Sequence, residues 1–412
     1  MVSTSAVAEL QNWLLQDALP LWADYGVDRK RGGFFERLNK DLTPFEEPRR
    51  ARLVARQIYC FAMGQAVGFE GVGKGLVDHG LEFLNQRLIR PDGTLVQSVN
   101  IDLAVEKTEY DPYDYAFVLL ALATAAHVFG DRDLLLAQAQ KIRDRLIENW
   151  AHPRIGFSEP SVLKANPHMH LLEAFLAWAE VSGNGDPLWL ELAGQMVELC
   201  CSYLILPQSG AVCEYFDADW QPKPDATGRL LIEPGHQFEW AWLLMRWAAR
   251  TGDGEAFARA VRLVILAESR GIDPRRKIAI NALDEEFNWR DGQAKLWPQT
   301  ERIKAVHALA SHPAALPADR DFARGKLTEA IAGLRLYLLQ QPAGLWCEVM
   351  LEDGSFVDEP VRASSFYHIV CAIAVLSGTA SFDRSVHDSF ASGCEPIPKG
   401  EGIDRGEGPV PW

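Results

Sequence analysis

Gly33-Phe34-Phe35-Glu36 is the first copy of a short pattern, a glycine followed by apolar residues and often by a glutamate, that recurs along the chain. The further copies are Gly93-Thr94-Leu95-Val96-Gln97, Gly156-Phe157-Ser158-Glu159, Gly210-Ala211-Val212-Cys213-Glu214, Gly344-Leu345-Trp346-Cys347-Glu348 and a looser version from Gly292 to Gln299. In chain order, successive copies begin 60, 63, 54, 82 and 52 residues apart. The glycine predicts a turn and the following residues a short extended segment, so the pattern indicates a loop that is repeated six times.

Helical periodicity fills the intervals between these loops. Apolar residues recur at spacings of three and four in twelve stretches: 7–24, 52–67, 74–89, 113–129, 132–150, 168–182, 187–204, 236–251, 254–269, 301–311, 321–340 and 363–377. Six units of helix, loop and helix predict a closed ring, an all-α (α/α)6 barrel with short β-segments in the loops at one mouth. The alternative is that glycine–aromatic pairs recur by chance in a chain with 32 glycines.

The repeats also set the expected domain organisation. Residues 1–391 are expected to form one catalytic barrel domain. The stretch 392–412 is rich in glycine and proline and is predicted to have no regular structure.

Composition narrows the class of protein. The 412 residues carry a net charge of −15, which disfavours a nucleic-acid partner. Apolar runs are too short for a membrane span, and the start of the chain lacks the features of a secretory signal. Seven cysteines without a CxxC pair favour free thiols in a reducing, cytoplasmic setting.

Polar residues collect at the start of the helix that follows each loop. In chain order they are Arg56, Asp111, Tyr113, Asp114, Asn166, His170, Glu173, His236, Glu239, Trp297, Glu301 and His368. In a ring of hairpins these helix starts lie at one mouth, so six chain segments are expected to converge on one pocket.

His236 and Glu239 are three residues apart and share a helix face. A carboxylate beside an imidazole fixes the ring and raises its pKa, which suits proton transfer near neutral pH. The same spacing at His170 and Glu173 opens a metal-site alternative, although helical di-iron sites usually show the order Glu-x-x-His with two further glutamates. A buried structural histidine is the other interpretation.

His368 and Arg56 each lie on an apolar helix face. A lone histidine in such a place is more often structural than catalytic. Arg56 either pairs with a buried acid or binds an oxyanion, since an unpaired buried guanidinium is costly. Tyr113 and Trp297 lie where a sugar ring would stack at the mouth.

Taken together, these stretches resemble the N-acylglucosamine 2-epimerase superfamily, with the similarity running from about Gly32 to Ile373. The matching segments are 55–62, 166–173, 234–242, 297–301 and 365–369. The resemblance implies an (α/α)6 barrel, sugar chemistry without a metal or other cofactor, and a small-molecule sugar as substrate. Monomer and homodimer remain equally open.

The resemblance also implies roles for the site residues. His368 would remove the C2 proton of an open-chain sugar, and His236 would be the second acid/base. Arg56 would stabilise the enediolate oxygen. Glu239 and Glu173 would orient their histidines. Substrate contacts would come from Tyr113, Asn166, His170, Glu173, Trp297 and Glu301.

These residues predict a sugar isomerase that interconverts an aldose and a ketose through a cis-enediolate. D-mannose to D-fructose is the preferred pair, with D-lyxose to D-xylulose as a second, because no nucleotide-binding loop and no added loop for a second glucose unit is visible. A 2-epimerase of N-acylglucosamine or cellobiose stays open. So do an (α/α)6 glycoside hydrolase, which would need two flanking carboxylates, and a non-catalytic carbohydrate-binding protein.

Overall fold

The computed structural model describes residues 4–339 and 342–379. The proposed tail 392–412 and the end of the proposed domain therefore lie outside the described residues. Within them, the chain folds into two concentric rings of helices, as the repeat predicts.

Six inner helices form the wall around the barrel axis. They are α3 (Ala51–Ala66), α5 (Pro112–Phe129), α7 (Ala165–Ser182), α9 (Pro234–Thr251), α11 (Trp297–Ser311) and α13 (Ala363–Leu376). Each packs against the next, and α13 packs against α3, which closes the ring. α5 is long and apolar enough to cross a membrane, but 78% of it is buried inside the protein, as befits an inner helix.

The outer ring covers the inner helices. It consists of α1 (Thr4–Trp13) and α2 (Leu19–Tyr25) joined by a π-helical turn, α4 (Gly73–Phe83), α6 (Arg132–Trp150), α8 (Leu188–Leu199), α10 (Gly254–Arg270) and α12 (Pro317–Leu338). These helices bury one face only. In α10 that face is Ala256, Ala260, Leu263, Val264 and Ala267, which follow a spacing of three and four. The twelve predicted helical stretches match these elements to within a few residues.

Short antiparallel strands occupy the loops at one mouth, where the inner helices begin. They are β1 (Arg37–Leu38), β2 (Arg49–Arg50), β3 (Ser98–Val99), β4 (Val105–Lys107), β5 (Leu163–Lys164), β6 (Tyr215–Phe216), β7 (Ala282–Leu283), β8 (Trp289–Asp291), β9 (Ala294–Lys295), β10 (Val349–Met350) and β11 (Val361–Arg362). The pairs are β1–β11, β9–β10, β5–β6 and β7–β8, and β2–β3–β4 form a three-stranded sheet. The β1–β11 pair joins the two ends of the ring, with Arg37 opposite Arg362.

The glutamate of the repeated pattern has a structural purpose in three units. Its carboxylate accepts a hydrogen bond from the backbone N–H just before the next inner helix: Glu36 from Arg50, Glu159 from Lys164 and Glu348 from Arg362. These bonds tie each loop to the start of its inner helix and hold the mouth in shape.

The looser copy of the pattern at Gly292 is a wrong assignment. In the first four units, the residue one or two positions after the glycine pairs back to a residue that follows the outer helix, as Phe34 does with Val27. In the fifth unit the equivalent pair is Ala279 with Ile272, and the turn residue is Lys277, which has the left-handed φ of 60°. A lysine in a position that favours glycine hid this turn from the sequence pattern.

Candidate active site

A cavity of about 320 Å³ opens at the mouth where the inner helices begin. All six inner helices contribute to its lining: Arg56 from α3, Tyr113 from α5, Asn166 and His170 from α7, His236 and Glu239 from α9, Trp297 from α11, and Ser364, Ser365 and His368 from α13. Eight of the ten residues predicted for the site line this one cavity. The other two, Glu173 and Glu301, are buried just behind its wall.

His368 is held from behind by a buried acid. Its Nδ1 lies 2.8 Å from Oε1 of Glu301, and the other oxygen of Glu301 lies 2.5 Å from Nζ of Lys304. Glu301 and Lys304 are fully buried. Glu301, expected to bind substrate, thus contacts the histidine instead, because it lies one turn inside α11 and below the cavity surface.

His236 is paired with one acid from the preceding loop and with the acid that directly precedes its own helix. Its Nδ1 lies 2.9 Å from Oε2 of Glu214 and 3.3 Å from Oε2 of Glu233. Glu239 was expected to orient His236, but it makes no hydrogen bond to this ring. A shared helix face brought the two side chains near one another, while the loop residue Glu214 reaches the imidazole nitrogen directly.

The two histidines differ in protonation. Burial lowers the pKa of His236, but Glu214 and Glu233 outweigh that effect and raise it to about 10. Burial lowers the pKa of His368 well below its ordinary value, and the charges of Arg56 and Lys304 add to that. At neutral pH the site therefore holds one imidazolium and one neutral imidazole.

Trp297 lies beside both histidines. Its ring centroid is 4.8 Å from that of His236 and 5.9 Å from that of His368. Gly235 makes this position possible, since a Cβ there would lie 2.4 Å from the Trp297 ring. The indole thus forms an apolar face between a protonated and a neutral histidine.

Arg56 has aromatic rather than acidic neighbours. Its guanidinium lies 4.0 Å from the centroid of the Phe117 ring and donates a hydrogen bond to the hydroxyl of Tyr113. No carboxylate within residues 4–339 and 342–379 forms a salt bridge with it. Of the two sequence-based alternatives, this arrangement favours a charge available to an oxyanion in the cavity.

The floor of the cavity is a buried polar cluster. His170 Nδ1 lies 3.6 Å from Glu173 and 3.8 Å from Glu239, too far for a hydrogen bond to either. Glu173 accepts a hydrogen bond from the hydroxyl of Tyr367. The carboxylate of Glu239 and Oδ1 of Asn166 have no hydrogen-bond partner among the described residues, so both are available to a ligand.

Among the residues that the structure describes, three groups of side chains have the spacing of metal ligands: His170–Glu173–Glu239, Glu214–Glu233–His236 and Glu239–Glu301–His368. In the third group, the ammonium of Lys304 already lies 2.5 Å from Glu301 and 3.8 Å from Glu239. A cation beside these carboxylates opposes a second one.

Several residues of the site were not singled out from the sequence. Glu214 and Glu348 end copies of the repeated pattern, so the repeat itself was a usable signal for them. Glu233 directly precedes α9, where a helix-start acid is common. Lys304 gave no signal, because a lysine inside a helix is most often a surface residue.

The fold and the site define an (α/α)6-barrel protein with a histidine pair at the mouth. The family model for N-acylglucosamine 2-epimerase (GlcNAc 2-epimerase) matches residues 33–372. A mannose-6-phosphate isomerase of Rhizobium meliloti is 39% identical over 370 residues, which cover 89% of this chain and 95% of that protein. The chain therefore belongs to the N-acylglucosamine 2-epimerase family.

Solved structures agree on the fold. A D-mannose isomerase aligns with a TM-score of 0.80 at 19% identity, over 92% of this chain and 99% of that one. A cellobiose 2-epimerase from Bacillus thermoamylovorans aligns with a TM-score of 0.77 at 17% identity, over 90% and 99%. The family consists of carbohydrate isomerases and epimerases that act on small sugars, and this chain is an enzyme of that class.

Proposed function

We propose that this enzyme interconverts an aldose and a ketose, with D-mannose and D-fructose as the parent pair. The supporting observation is the placement of two buried histidines in one cavity, His236 bonded to Glu214 and His368 to Glu301, with Arg56 in the same lining. A proton α to a carbonyl leaves only when a base is in place and the forming oxyanion is stabilised.

In this scheme neutral His368 is the base that removes the C2 proton of the open-chain sugar. Glu301 and Lys304 behind it fix the ring with Nε2 free to face the substrate. Arg56, with the hydroxyl of Tyr113, stabilises the negative oxygen of the cis-enediolate. Protonated His236 donates a proton to the ring oxygen and accepts the proton of the C1 hydroxyl during ring opening. In the isomerisation it donates a proton to O1 and accepts the proton of the C2 hydroxyl as the ketose carbonyl forms, so it ends each turnover protonated.

The two pKa values favour isomerisation over 2-epimerisation. An epimerase with two bases would end each turnover with a proton on His368 and none on His236, the reverse of the resting state. An isomerase with one base returns the proton to C1 from His368 and restores the resting state directly.

Cavity size and cysteine chemistry support two finer parts of the proposal. A volume of about 320 Å³ is at the small end for ligand pockets and suits a monosaccharide better than a disaccharide. The six described cysteines are free, which supports a reducing, cytoplasmic location.

The test is incubation of the EDTA-treated enzyme with D-mannose in D2O, followed by NMR. We expect D-fructose carrying deuterium at C1. His368→Gln and His236→Gln are each expected to lower kcat by at least about 100-fold with the fold intact, since general acid–base catalysis contributes that much. His307→Gln, on the same helix as Trp297 but outside the cavity, is the matched control.

Other outcomes assign other functions. Formation of D-glucose before D-fructose, or of N-acetylglucosamine from N-acetylmannosamine, would indicate that the enzyme is a 2-epimerase and not an isomerase. New reducing ends from oligosaccharides without deuterium exchange would indicate a hydrolase. Loss of turnover after EDTA, restored by a divalent metal, would contradict the metal-free scheme.

A further inference from the structure

Lys304 is a fully buried lysine on α11, one helical turn after Glu301. Its Nζ lies 2.5 Å from Oε2 of Glu301 and 3.8 Å from Oε1 of Glu239. The ammonium also lies 3.9 Å from the centroid of the Trp242 ring on α9, which stabilises the charge without neutralising it. Lys304 is not part of the cavity lining. It can therefore act on a bound sugar only through another side chain.

Stability is a weak reason for this cation. Lysine is almost never fully buried, and a buried ion pair can often be replaced by apolar side chains of similar volume without loss of stability. Arg302, the other fully buried cation of α11, shows a contrasting arrangement. Its guanidinium donates hydrogen bonds of 2.6 and 2.8 Å to Glu268 of α10 and so ties α11 to the outer ring. The acids near Lys304 belong to the inner ring instead, directly behind the cavity.

Glu301 connects Lys304 to the cavity. One of its oxygens faces Lys304, and the other lies 2.8 Å from Nδ1 of His368. An ionised carboxylate can only accept hydrogen bonds, so it holds the ring proton on Nδ1 and leaves Nε2 free as a base. A protonated carboxyl group can donate to Nδ1, and the ring proton then moves to Nε2. The charge of Glu301 thus decides which tautomer His368 adopts.

Lys304 is the group that opposes protonation of Glu301 most strongly. Burial raises the pKa of Glu301, and the ammonium of Lys304 is the largest influence in the other direction. Within residues 4–339 and 342–379, Lys304 is the only lysine or arginine that forms an ion pair with Glu301. The other titratable groups around the pair come from three inner helices: His170 and Glu173 of α7, Glu239 of α9, and His368 and Cys371 of α13.

We propose that Lys304 is a positioning residue that acts through Glu301: its charge keeps Glu301 ionised, and ionised Glu301 holds the His368 ring with Nε2 free for the substrate. This inference rests on the proposed isomerase function, in which His368 is the base, and it adds the group that sets the state of that base. Because Lys304 does not touch the sugar, its loss lowers kcat and leaves KM almost unchanged.

The test measures kcat and kcat/KM for D-mannose against pH in wild type, Lys304→Met, Glu301→Gln and the double variant. Methionine keeps most of the side-chain length and removes the charge. We expect Lys304→Met to lower kcat by about tenfold or more at pH 7 and to recover as pH rises, because the acid limb shifts upward by at least about one unit. Glu301→Gln has no carboxyl group to ionise and should not recover. The double variant should match its kcat within about threefold, because two residues that act as a unit are not additive.

Arg302→Met is the matched control, since it removes a buried cation of the same helix that pairs with Glu268. It should lower the free energy of unfolding and leave the acid limb in place. If Lys304→Met does not fold, Lys304→Gln, an uncharged hydrogen-bond donor, is measured with the same expectation. If Lys304→Met weakens the Glu301→Gln enzyme as much as it weakens the wild type, or shifts its acid limb equally, Lys304 does not act through Glu301 and the proposal is wrong.

The tautomer of His368 can be read without turnover by 1H–15N NMR of the histidine rings, with its signals assigned by their loss in His368→Gln. At pH 7 we expect the proton on Nδ1 in wild type and a population with the proton on Nε2 in Lys304→Met. An unchanged tautomer in Lys304→Met would overturn the role of Lys304 while the isomerase stands. If the wild type forms no D-fructose from D-mannose, the proposed function fails, and the NMR result still decides the role of Lys304.

Discussion

At the scale of single residues, each histidine is hydrogen-bonded to an acid that is distant in sequence. Glu214 is 22 positions from His236, and Glu301 is 67 positions from His368. Glu214 and Glu233 raise the pKa of His236 despite its burial, whereas burial, together with the charges of Arg56 and Lys304, lowers the pKa of His368. Identical side chains thus receive opposite protonation states, which is what an acid and a base in one site require.

The pH dependence of activity follows from this arrangement. The pKa of His236 is raised from 6.5 to about 10, so the proton that the proposed mechanism requires is retained through neutral pH and lost as pH rises through about 10. By the same linkage, the ion pair of His236 stabilises the fold fully below about pH 6.5 and is lost as pH rises through about 10. We expect Glu214→Gln to shift the alkaline limb of kcat/KM to lower pH by about one unit or more.

The profile is measured between pH 6 and pH 11 with Glu286→Gln, an exposed acid outside the cavity lining, as control. An alkaline limb that stays in place in Glu214→Gln would contradict the role of Glu214.

At the scale of elements, the residue at which each inner helix begins decides which side chains face the cavity. Five of the six inner helices start directly after a short strand or an extended residue, and α11 starts one residue after β9. The first two turns carry the side chains that face the cavity. α9 and α11 pack closely at this end because Gly235 has no side chain to hold them apart. The position of Trp297 between the histidines depends on that contact.

Gly235→Ala tests this dependence. A Cβ 2.4 Å from the ring must displace Trp297, and a displacement near 1 Å can reduce catalysis by about 100-fold. We expect kcat/KM to fall by about 10- to 100-fold. Gly325→Ala is the matched control, since Gly325 is exposed within α12 and a Cβ added there would meet no other atom within 4 Å.

The control has an expected effect of its own. Gly325→Ala should leave kcat/KM unchanged and raise the free energy of unfolding by roughly 0.5–1 kcal/mol, measured by urea denaturation. Wild-type kcat/KM in Gly235→Ala would show that the indole position is not critical.

At the scale of the whole molecule, the ring makes each inner helix depend on two neighbours. α13 closes against α3, and the side-chain amide of Gln57 donates to the carbonyl of Ala363 across that seam. Strand β1 pairs with β11 at the same seam. Residues from near the two ends of the chain therefore share one core, with no obvious point of division.

This closure predicts that the barrel unfolds as one domain. Scanning calorimetry should give a single transition, and far-ultraviolet circular dichroism and tryptophan fluorescence should report the same midpoint in urea. Two separated transitions, or midpoints that differ between the probes, would show that the proposed domain unfolds as more than one unit.

The sequence by itself determined the ring of hairpins and placed eight of the ten candidate site residues, both histidines among them, at one mouth. It could do so because turn residues and helical periodicity are local properties, and because six similar loops must place six helix starts at one end. The fifth loop escaped detection only because Lys277 adopts the backbone conformation that glycine has elsewhere.

Only the tertiary structure decided which acid contacts the imidazole of each histidine. Sequence spacing assigned Glu239 to His236, since residues three apart share a helix face, and the family resemblance assigned Glu301 to the substrate. In the barrel, a loop glutamate reaches His236, and a glutamate from the neighbouring helix α11 reaches His368. Lys304, the buried cation behind them, becomes visible only once helices far apart in sequence are packed side by side.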